Sequence, residues 1–299
     1  MGFSRTAVID SIAGDIVDLN SIRSALTQFL PDVVFNFASQ TDLGGQLGGN
    51  YDANVIGVKN LLQAVSETSS VKRVIWASSQ LVNRPGFQPA NDTSYDPVGE
   101  YGRSKMQGEM LVRAADGGGK EWIIIRPTTV WGPGMSPHYL KLLSLIQRGL
   151  YFHVGHKPLR KSYSYIENLV EQLTLLATVD ASLIQRKTMY VADSEPIELH
   201  SWCNGFAAKF GKSIPTMPLA FAKILATVGD MAAGFGIKRI PFSSERLNNI
   251  CTEYVFDTAP IESICGRTRI SNEEGVHRTA DWYLSERDSS IGQMPSHAR

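Results

Sequence analysis

The chain of 299 residues contains only three cysteines, Cys203, Cys251 and Cys265, and no pair of them has the Cys-x-x-Cys spacing. An odd, widely spaced set of cysteines predicts neither a disulfide framework nor a thiolate metal site, and it indicates a reducing compartment such as the cytoplasm. Histidines are also sparse. His153 and His156 are separated by a short glycine-containing segment and lack a third ligand, so we predict no metal centre.

The sequence also lacks an excess of charge and a long uncharged apolar run. Lys+Arg and Asp+Glu both number 29, so a nucleic-acid partner is not expected. The most apolar stretch, residues 219–237, is interrupted by Lys223 and Asp230, whereas a spanning helix needs roughly 20 nearly uncharged residues. We therefore predict no membrane span and a half-buried helix, with a membrane-surface role as the alternative. Residues 1–23 are too polar for a signal peptide.

Short apolar runs alternate with stretches of helical periodicity over much of the chain. Apolar positions at helical spacing predict helices over 21–30 and 54–65. The predicted strands are 33–37, 71–77, 122–126, 151–154 and 188–191. This alternation predicts an α/β fold with a doubly wound parallel sheet.

The pattern loosens after about residue 135, and prolines interrupt the later region. We therefore predict a main domain over 1–150 and a smaller lobe over 151–287, some segments of which return to the main domain. Residues 288–299 are polar and contain glycine and proline, so they are expected to form a disordered tail.

Tyr101 and Lys105 are four residues apart, a spacing that places both side chains on one face of a helix. A lysine ammonium beside a phenol favours the phenolate, and a tyrosine with a lowered pKa is a usable general base. Ser79 ends an apolar strand 22 residues earlier. The three side chains predict a proton-handling triad. The alternatives are a surface tyrosine beside a solvated lysine, and a serine that merely caps the next turn.

These residues, with several further motifs, resemble the extended short-chain dehydrogenase/reductases, and in particular the NAD-dependent epimerase/dehydratase family that acts on nucleotide sugars. The matching motifs run in order along the chain: Gly14-Asp-Ile16, Phe35-Asn-Phe-Ala-Ser39, Asn54-Val-x-Gly57-x-x-Asn60, Ser78-Ser-Gln-Leu-Val82, Tyr101-Gly-Arg-Ser-Lys105, Ile125-Arg-Pro-Thr-Thr-Val-Trp-Gly-Pro-Gly134, Tyr163-Ser-Tyr-Ile-Glu-Asn168, Glu274-Gly275 and Thr279-Ala-Asp-Trp-Tyr283. The resemblance implies a Rossmann-like, NAD-binding domain over 1–150 and a substrate-binding lobe over 151–287.

The sequence departs from this family at its start. No Gly-x-Gly-x-x-Gly or Gly-x-x-Gly-x-x-Gly loop opens the chain to cradle a pyrophosphate at a helix N-terminus. By resemblance, Met1 falls just before the family's third strand, so the sheet is expected to be N-terminally incomplete and that strand to lack a neighbour. The segment Gly44-Gly45 with Gly48-Gly49 is interpreted as a flexible loop over the active site. The residue that selects NAD or NADP would lie in the absent part.

The resemblance also implies roles for individual residues. Ser79, Tyr101 and Lys105 would be catalytic, with Ser79 also touching substrate. Arg160 and Lys161 would lie against the substrate's diphosphate, although exposed loop charges are the alternative. Cofactor contacts are expected from Asp15, Ile16, Phe37, Ala38, Ser39, Asn54, Tyr101, Lys105 and Thr128. Asp15 could instead start a helix, and Phe37 and Ala38 could be core. The expected cofactor is NAD, with NADP left open.

The expected activity is epimerisation of a nucleotide-activated sugar by transient hydride transfer, with Tyr101 as base. Dehydration is disfavoured, since Gln80 and Leu81 stand where the family's dehydratases carry an acidic pair. Two alternatives stay open: a hydroxyl/ketone oxidoreductase acting on a sugar or a steroid-like alcohol, and a non-catalytic binding or regulatory protein on the same scaffold. A homodimer through the helices around Asn54 and Tyr101 is a further expectation from the family.

Overall fold

The computed structural model describes residues 1–5, 10–41, 51–234 and 243–292. The glycine segment at residues 44–49 lies outside these ranges, so the prediction for it stays a prediction. Strands are β1 Gly2–Ser4, β2 Ser11–Ala13, β3 Val33–Asn36, β4 Arg73–Ala77, β5 Glu121–Pro127, β6 Thr129–Trp131, β7 His153–Val154, β8 Arg160–Lys161, β9 Tyr163–Tyr165, β10 Lys187–Val191, β11 Ile197–Glu198 and β12 Thr216–Met217.

Helices of widely different length connect these strands. They are α1 Leu19–Phe29, α2 Asp52–Glu67, α3 Gly99–Ala114, α4 Asp116–Gly119, α5 Pro137–Gln147, α6 Ile166–Thr178, α7 Ala181–Ile184, α8 Leu199–Lys209, α9 Leu219–Gly234, α10 Ser244–Cys251, α11 Ala259–Cys265 and α12 Asn272–Gly292. A short 3-10 helix spans Gln80–Val82.

The chain forms two compact units. The first contains Met1–Thr128, Glu171–Val191 and Asp257–Gly266, and the second contains Thr129–Val170, Ala192–Phe256 and Arg267–Arg299. The division therefore comes earlier than the expected boundary at residue 150, because β6 pairs with β9 of the second unit. Two later segments return to the first unit.

A parallel sheet forms the centre of the first unit. Its strand order is β10-β5-β4-β3, and every neighbouring pair is parallel. Ile75, Ile123 and Ile125 are fully buried in the central strands, as expected for strands covered on both faces. Helices α1 and α2 pack against this sheet through Leu26, Val58 and neighbouring apolar side chains. The predicted α/β fold with a parallel sheet is confirmed.

The first two strands correct the prediction for the start of the chain. β1 and β2 form a separate parallel pair, with Gly2 opposite Ser11 and Ser4 opposite Ala13. The strand preceding α1 thus has a neighbour, contrary to the expectation. β1 was not predicted from the sequence, because it is only three residues long and has no apolar run. Phe3 is the single large apolar residue in it. Among the described residues, no strand joins this pair to the four-stranded sheet.

The second unit is built around an aromatic core. Its strand pairs are β6-β9, β7-β12 and β8-β11. The Trp131 ring meets the Tyr165 and Trp202 rings edge-on, with centroid distances of 5.0 and 5.3 Å. Asp193 fixes the position of the end of β9. Its carboxylate accepts hydrogen bonds from the Tyr165 backbone amide and the Asn168 side chain, both at 2.8 Å.

Helix α9 lies in the apolar stretch of the sequence and is half-buried, as predicted. Ala222 and Ala226 are fully buried, whereas Phe221, Ile224 and Val228 are more than half exposed. Over the described ranges, no helix combines the length and apolarity that crossing a bilayer requires.

The predicted disordered tail is wrong for residues 288–292, because α12 continues to Gly292. The remainder of that tail lies outside the described residues.

A buried ion pair attaches α3 to the sheet. The Arg126 guanidinium on β5 donates to both Glu109 carboxylate oxygens on α3, at 2.9 and 2.8 Å, and both side chains are only 1% exposed. Ser78 and Tyr95 donate to the same carboxylate, at 2.5 and 2.9 Å. Because every member of the network is paired, the buried charges are compensated and the orientation of α3 is fixed.

The substitution Glu109→Gln tests this attachment. It keeps the side-chain size but leaves the Arg126 charge buried without a counter-charge, so we expect a loss of about 3–5 kcal/mol in the free energy of unfolding. Urea denaturation measures the loss. Glu67→Gln is the matched control, because Glu67 pairs with Arg23 at 2.7 Å on the surface, where ion pairs contribute little. Equal losses in the two variants would contradict a structural role for the buried pair.

Candidate active site

Polar side chains gather where three parallel strands of the first unit end. Ser39 follows β3, Ser78 and Ser79 follow β4, and Thr128 follows β5. Parallel strands present their carboxyl ends at one edge of the sheet, so these residues share that edge. Thr128 is buried, and its hydroxyl donates to the Val191 carbonyl at 3.4 Å.

Gly102 allows α3 to approach this edge closely. A Cβ at residue 102 would collide with the carbonyl oxygen of Leu81. The same carbonyl accepts the Val98 amide at 2.9 Å, just before α3 begins. The glycine after Tyr101 therefore lets the first turn of α3 rest on the segment that follows Ser79.

The structure brings Ser79, Ser39 and Tyr101 together. The Ser79 and Ser39 side chains lie close enough to the Tyr101 phenol to lower its pKa, and the Tyr51 ring centroid lies 6.3 Å from the Tyr101 ring centroid. Ser79 also accepts the Leu81 amide at 3.1 Å, so the capping alternative considered from sequence is fulfilled as well. A capping serine can still present its hydroxyl to the phenol.

The expected lowering of the Tyr101 pKa is not observed. Burial raises the pKa of Tyr101, and the hydrogen bonds from Ser79 and Ser39 only partly oppose this effect. Lys105 is not among the groups that shift it. The direction predicted for the Tyr101 pKa is therefore wrong, because desolvation outweighs the local hydrogen bonds. The role of Lys105 beside a phenolate stays a prediction.

Lys105 is buried one helical turn beyond Tyr101. Its ammonium donates to the Ala77 carbonyl at 2.8 Å, at the end of β4. Burial lowers its pKa from 10.5 to about 8, and Glu109 acts in the opposite direction. Tyr101, Lys105 and Glu109 follow each other at intervals of four residues, so a single face of α3 carries all three.

The sequence analysis missed Glu109 and Arg126. Two signals pointed to them: Arg126 interrupts an otherwise apolar buried strand, and Glu109 continues the four-residue spacing from Tyr101 and Lys105. A charged residue in such a strand requires a buried partner. The identity of that partner depends on tertiary packing.

A cavity of about 570 Å³ opens at the ends of β1, β2 and β3. Its lining is Phe3, Ser4, Arg5, Gly14, Asp15, Ile16, Val17, Phe37, Ala38, Ser39, Gln40, Asp52 and Ala53. Five residues expected at a cofactor are in that lining: Asp15, Ile16, Phe37, Ala38 and Ser39. The Asp15 carboxylate accepts the Val17 amide at 3.0 Å, while Asp18 caps α1. Asp15 therefore forms the turn into α1 without capping the helix.

The other expected cofactor residues differ in exposure. Phe37 is 50% exposed and stacks on Phe35, with a centroid distance of 6.1 Å, so it is not core. Ala38 packs on the apolar cluster beneath α2. Asn54 is buried. Its side-chain oxygen accepts hydrogen bonds from the Gln40 amide at 2.7 Å and the Ser39 hydroxyl at 3.0 Å, and its side-chain nitrogen donates to the Gln40 carbonyl at 3.0 Å. Asn54 therefore positions the segment after β3.

The two basic residues expected at a diphosphate lie in different environments of the second unit. Arg160 is exposed, whereas Lys161 is 4% exposed. The Lys161 ammonium donates to the Asn249 carbonyl at 2.9 Å and lies 4.9 Å from the Tyr254 ring centroid. Successive strand residues point in opposite directions, which separates the pair. The structure does not favour a direct diphosphate contact by Lys161, because its ammonium is buried and already bound.

Similar proteins of known structure and sequence establish the fold class and the family of this chain. A UDP-glucose 4-epimerase of Thermus thermophilus, solved in complex with NAD, superposes with a TM-score of 0.66 at 18% identity over 92% of this chain and 84% of that chain. This similarity establishes a Rossmann-type α/β fold. The chain belongs to the NAD dependent epimerase/dehydratase family, whose profile matches residues 2–188.

Two relatives illustrate the range of this family. An N-acetyl-alpha-D-glucosaminyl-diphospho-ditrans,octacis-undecaprenol 4-epimerase of Escherichia coli O157:H7 is 27% identical over 285 residues, which cover 90% of this chain and 82% of that protein. A 2-alkyl-3-oxoalkanoate reductase of Stenotrophomonas maltophilia is 23% identical over 285 residues, covering 90% and 85%. The family is one of NAD-dependent enzymes, and the resemblance inferred from sequence is confirmed.

The residues at the cavity fit the adenosine half of the family's cofactor. Ile16 and Ala38 provide apolar walls, Asp15 offers a carboxylate, and Ser39 offers a hydroxyl at the end of β3. Such a combination of apolar walls and a few polar groups is typical of nucleotide sites at the carboxyl edge of a parallel sheet. Among the described residues, no group of three or more His, Cys, Asp or Glu side chains is arranged to hold a metal ion.

The lowered pKa of Lys105 predicts a pH dependence of stability. Between its folded pKa of about 8 and its ordinary value of 10.5, the unfolded chain holds a proton that the folded chain has lost, so the free energy of unfolding rises with pH. Compared with Lys105→Met, the wild type should gain about 3 kcal/mol across this window. Chemical denaturation at a series of pH values measures the difference. A difference that does not vary with pH would contradict the burial of a titrating Lys105.

Proposed function

We propose that the protein epimerises a carbinol centre in the sugar of a nucleotide-activated sugar, with Tyr101 as the proton acceptor. The observation that carries this proposal is the convergence of Ser79 and Ser39 on the Tyr101 phenol, one helical turn from Lys105, which is buried and donates to the Ala77 carbonyl at the end of β4. The Escherichia coli relative is a 4-epimerase whose sugar also carries a diphosphate, and this supports the reaction class.

In this mechanism the nicotinamide dinucleotide, when bound, would supply the hydride acceptor and donor. Ser79 orients the reacting sugar hydroxyl toward Tyr101 and stabilises charge on its oxygen. Tyr101 accepts the hydroxyl proton and later returns it. Lys105 holds a positive charge at the end of β4, on the same face of α3, where it opposes the desolvation of a phenolate. The two serine hydrogen bonds act in the same direction as Lys105.

The cofactor contacts belong to this proposal. Asp15, Ile16 and the segment Phe37–Ser39 would hold the adenosine in the cavity, and Thr128 would lie near the nicotinamide. Lys105 would also bind the cofactor ribose. Asn54 would act indirectly, since its amide is already committed to the segment after β3. Arg160, the exposed member of the basic pair, would meet the substrate's diphosphate.

Dehydration is not proposed. Gln80 and Leu81 form the 3-10 turn directly after Ser79, and neither side chain can shuttle the proton that elimination of water requires. A second candidate is a hydroxyl/ketone oxidoreductase, which the reductase relative supports. The two activities differ in cofactor balance, because an epimerase leaves the dinucleotide unchanged after each turnover and a reductase consumes it.

A homodimer is also part of the proposal. Helices α2 and α3 pack on each other and leave Ile56 and Met110 exposed, by 42% and 54%. Apolar side chains exposed on two adjacent helices suit an interface with a second copy. Cytoplasmic location, expected from the cysteine content, stays a prediction.

The substitution Tyr101→Phe tests the proposed base. It removes only the phenol oxygen, so we expect turnover of a responsive UDP-sugar to be lost, while the free energy of unfolding changes by about 1 kcal/mol or less. Chromatographic separation of the two epimers measures turnover, and a chemical denaturation series measures stability. Tyr283→Phe removes a phenol oxygen from α12 and is the matched control. Turnover in Tyr101→Phe equal to that of the wild type would exclude Tyr101 as the base.

A further inference from the structure

Arg5 directly follows β1, and it lines the cavity at the ends of β1, β2 and β3. Its side chain is exposed. Among the described residues of the lining, Arg5 is the single cation, and Asp15 and Asp52 are the carboxylates. The Asp15 carboxylate already accepts the Val17 amide at 3.0 Å. The described lining therefore includes one positively charged residue, which suits an anionic group of a bound nucleotide.

The strand pairing shows which part of a nucleotide Arg5 would meet. Among the described strands β2 pairs only with β1, and the chain then passes through α1 to β3, at the edge of the four-stranded sheet. In a doubly wound sheet of order 3-2-1-4-5-6, the third strand pairs with the second alone. β2 and β1 thus correspond to the third and second strands, and Arg5 follows the second.

The position after the second strand faces the adenosine ribose in such folds. A carboxylate there accepts a hydrogen bond from the ribose 2′-hydroxyl of NAD, whereas an arginine accommodates the 2′-phosphate of NADP. This chain has Ser4 and Arg5 there, and no carboxylate. On this correspondence the cofactor-selecting position lies within the chain, in contrast to the expectation from the sequence.

We propose that Arg5 forms a 2′-phosphate subsite, so that the protein binds NADP(H) more tightly than NAD(H). The guanidinium can donate two parallel hydrogen bonds to a phosphate monoester. Its positive charge also offsets the repulsion between the phosphate and the carboxylates of Asp15 and Asp52. The proposal uses the cofactor cavity of the proposed function, but it does not depend on the reaction, because it concerns the adenosine end of the cofactor.

Equilibrium titration with two adenosine fragments tests the subsite on the full chain. Adenosine 2′,5′-bisphosphate and 5′-AMP differ only by the 2′-phosphate, and neither requires a nicotinamide or a pyrophosphate loop. We expect the bisphosphate to bind at least about tenfold more tightly, as a charge-assisted pair of hydrogen bonds would provide. Equal affinities, or no saturable binding of either fragment, would overturn the proposal.

Variants assign the preference to Arg5. Arg5→Ala should lose the preference for the bisphosphate and keep the affinity for 5′-AMP, and Arg5→Asp should reverse the preference. Arg148→Ala, which removes an exposed arginine outside the cavity lining, is the control and should behave as the wild type. Equal losses for both fragments in Arg5→Ala would mean that Arg5 packs on the adenine, and would overturn the proposal.

The intact cofactors give a second measurement. Titration with NADPH and NADH, followed by energy transfer from tryptophan, should show the same order of affinities in the wild type and its loss in Arg5→Ala. Failure of the proposed epimerisation would leave these affinities unchanged, because no sugar is present. An unchanged preference for NADPH in Arg5→Ala would overturn the role of Arg5 even if the sugar reaction were confirmed.

Discussion

The buried ion pair between Glu109 and Arg126 determines where the candidate chemistry lies. Arg126 belongs to β5 and Glu109 to α3, so the pair sets both the height and the rotation of that helix against the sheet. The face of α3 that carries Glu109 also carries Lys105 and Tyr101. The contact of the phenol with Ser79 and the contact of the ammonium with the end of β4 both follow from this one attachment.

Burial governs the electrostatics of the site. It raises the pKa of Tyr101 and lowers that of Lys105, so each side chain is driven toward its neutral form. Two charged forms that are separately unfavourable can stabilise one another when they occur together at short range. The ligand-free site therefore disfavours both charged forms, and a substrate that excludes water would strengthen any attraction between them.

The sequence predicted the central sheet well, because its strands are continuous apolar runs such as Ile123–Ile125. The placement of Tyr101 and Lys105 on one helix face and of Ser79 after a strand was also predictable, since a spacing of four and a strand end are local features. The short strand β1 was not, because three residues carry no periodicity. Neither the Glu109–Arg126 pair nor the burial of Lys161 could be deduced, since each depends on contacts between distant segments. The direction of the Tyr101 pKa was predicted wrongly, because desolvation is a property of the packed structure.

The relatives of this chain include a 4-epimerase and a reductase, and the same two activities are the candidates for this protein. Retention of an isotope label distinguishes them most directly. A nucleotide sugar with deuterium on the reacting carbinol carbon should yield an epimer that keeps the deuterium at that carbon, since the hydride leaves and returns within one active site. Loss of the label to solvent, or its accumulation in free reduced dinucleotide without an epimer, would contradict the account.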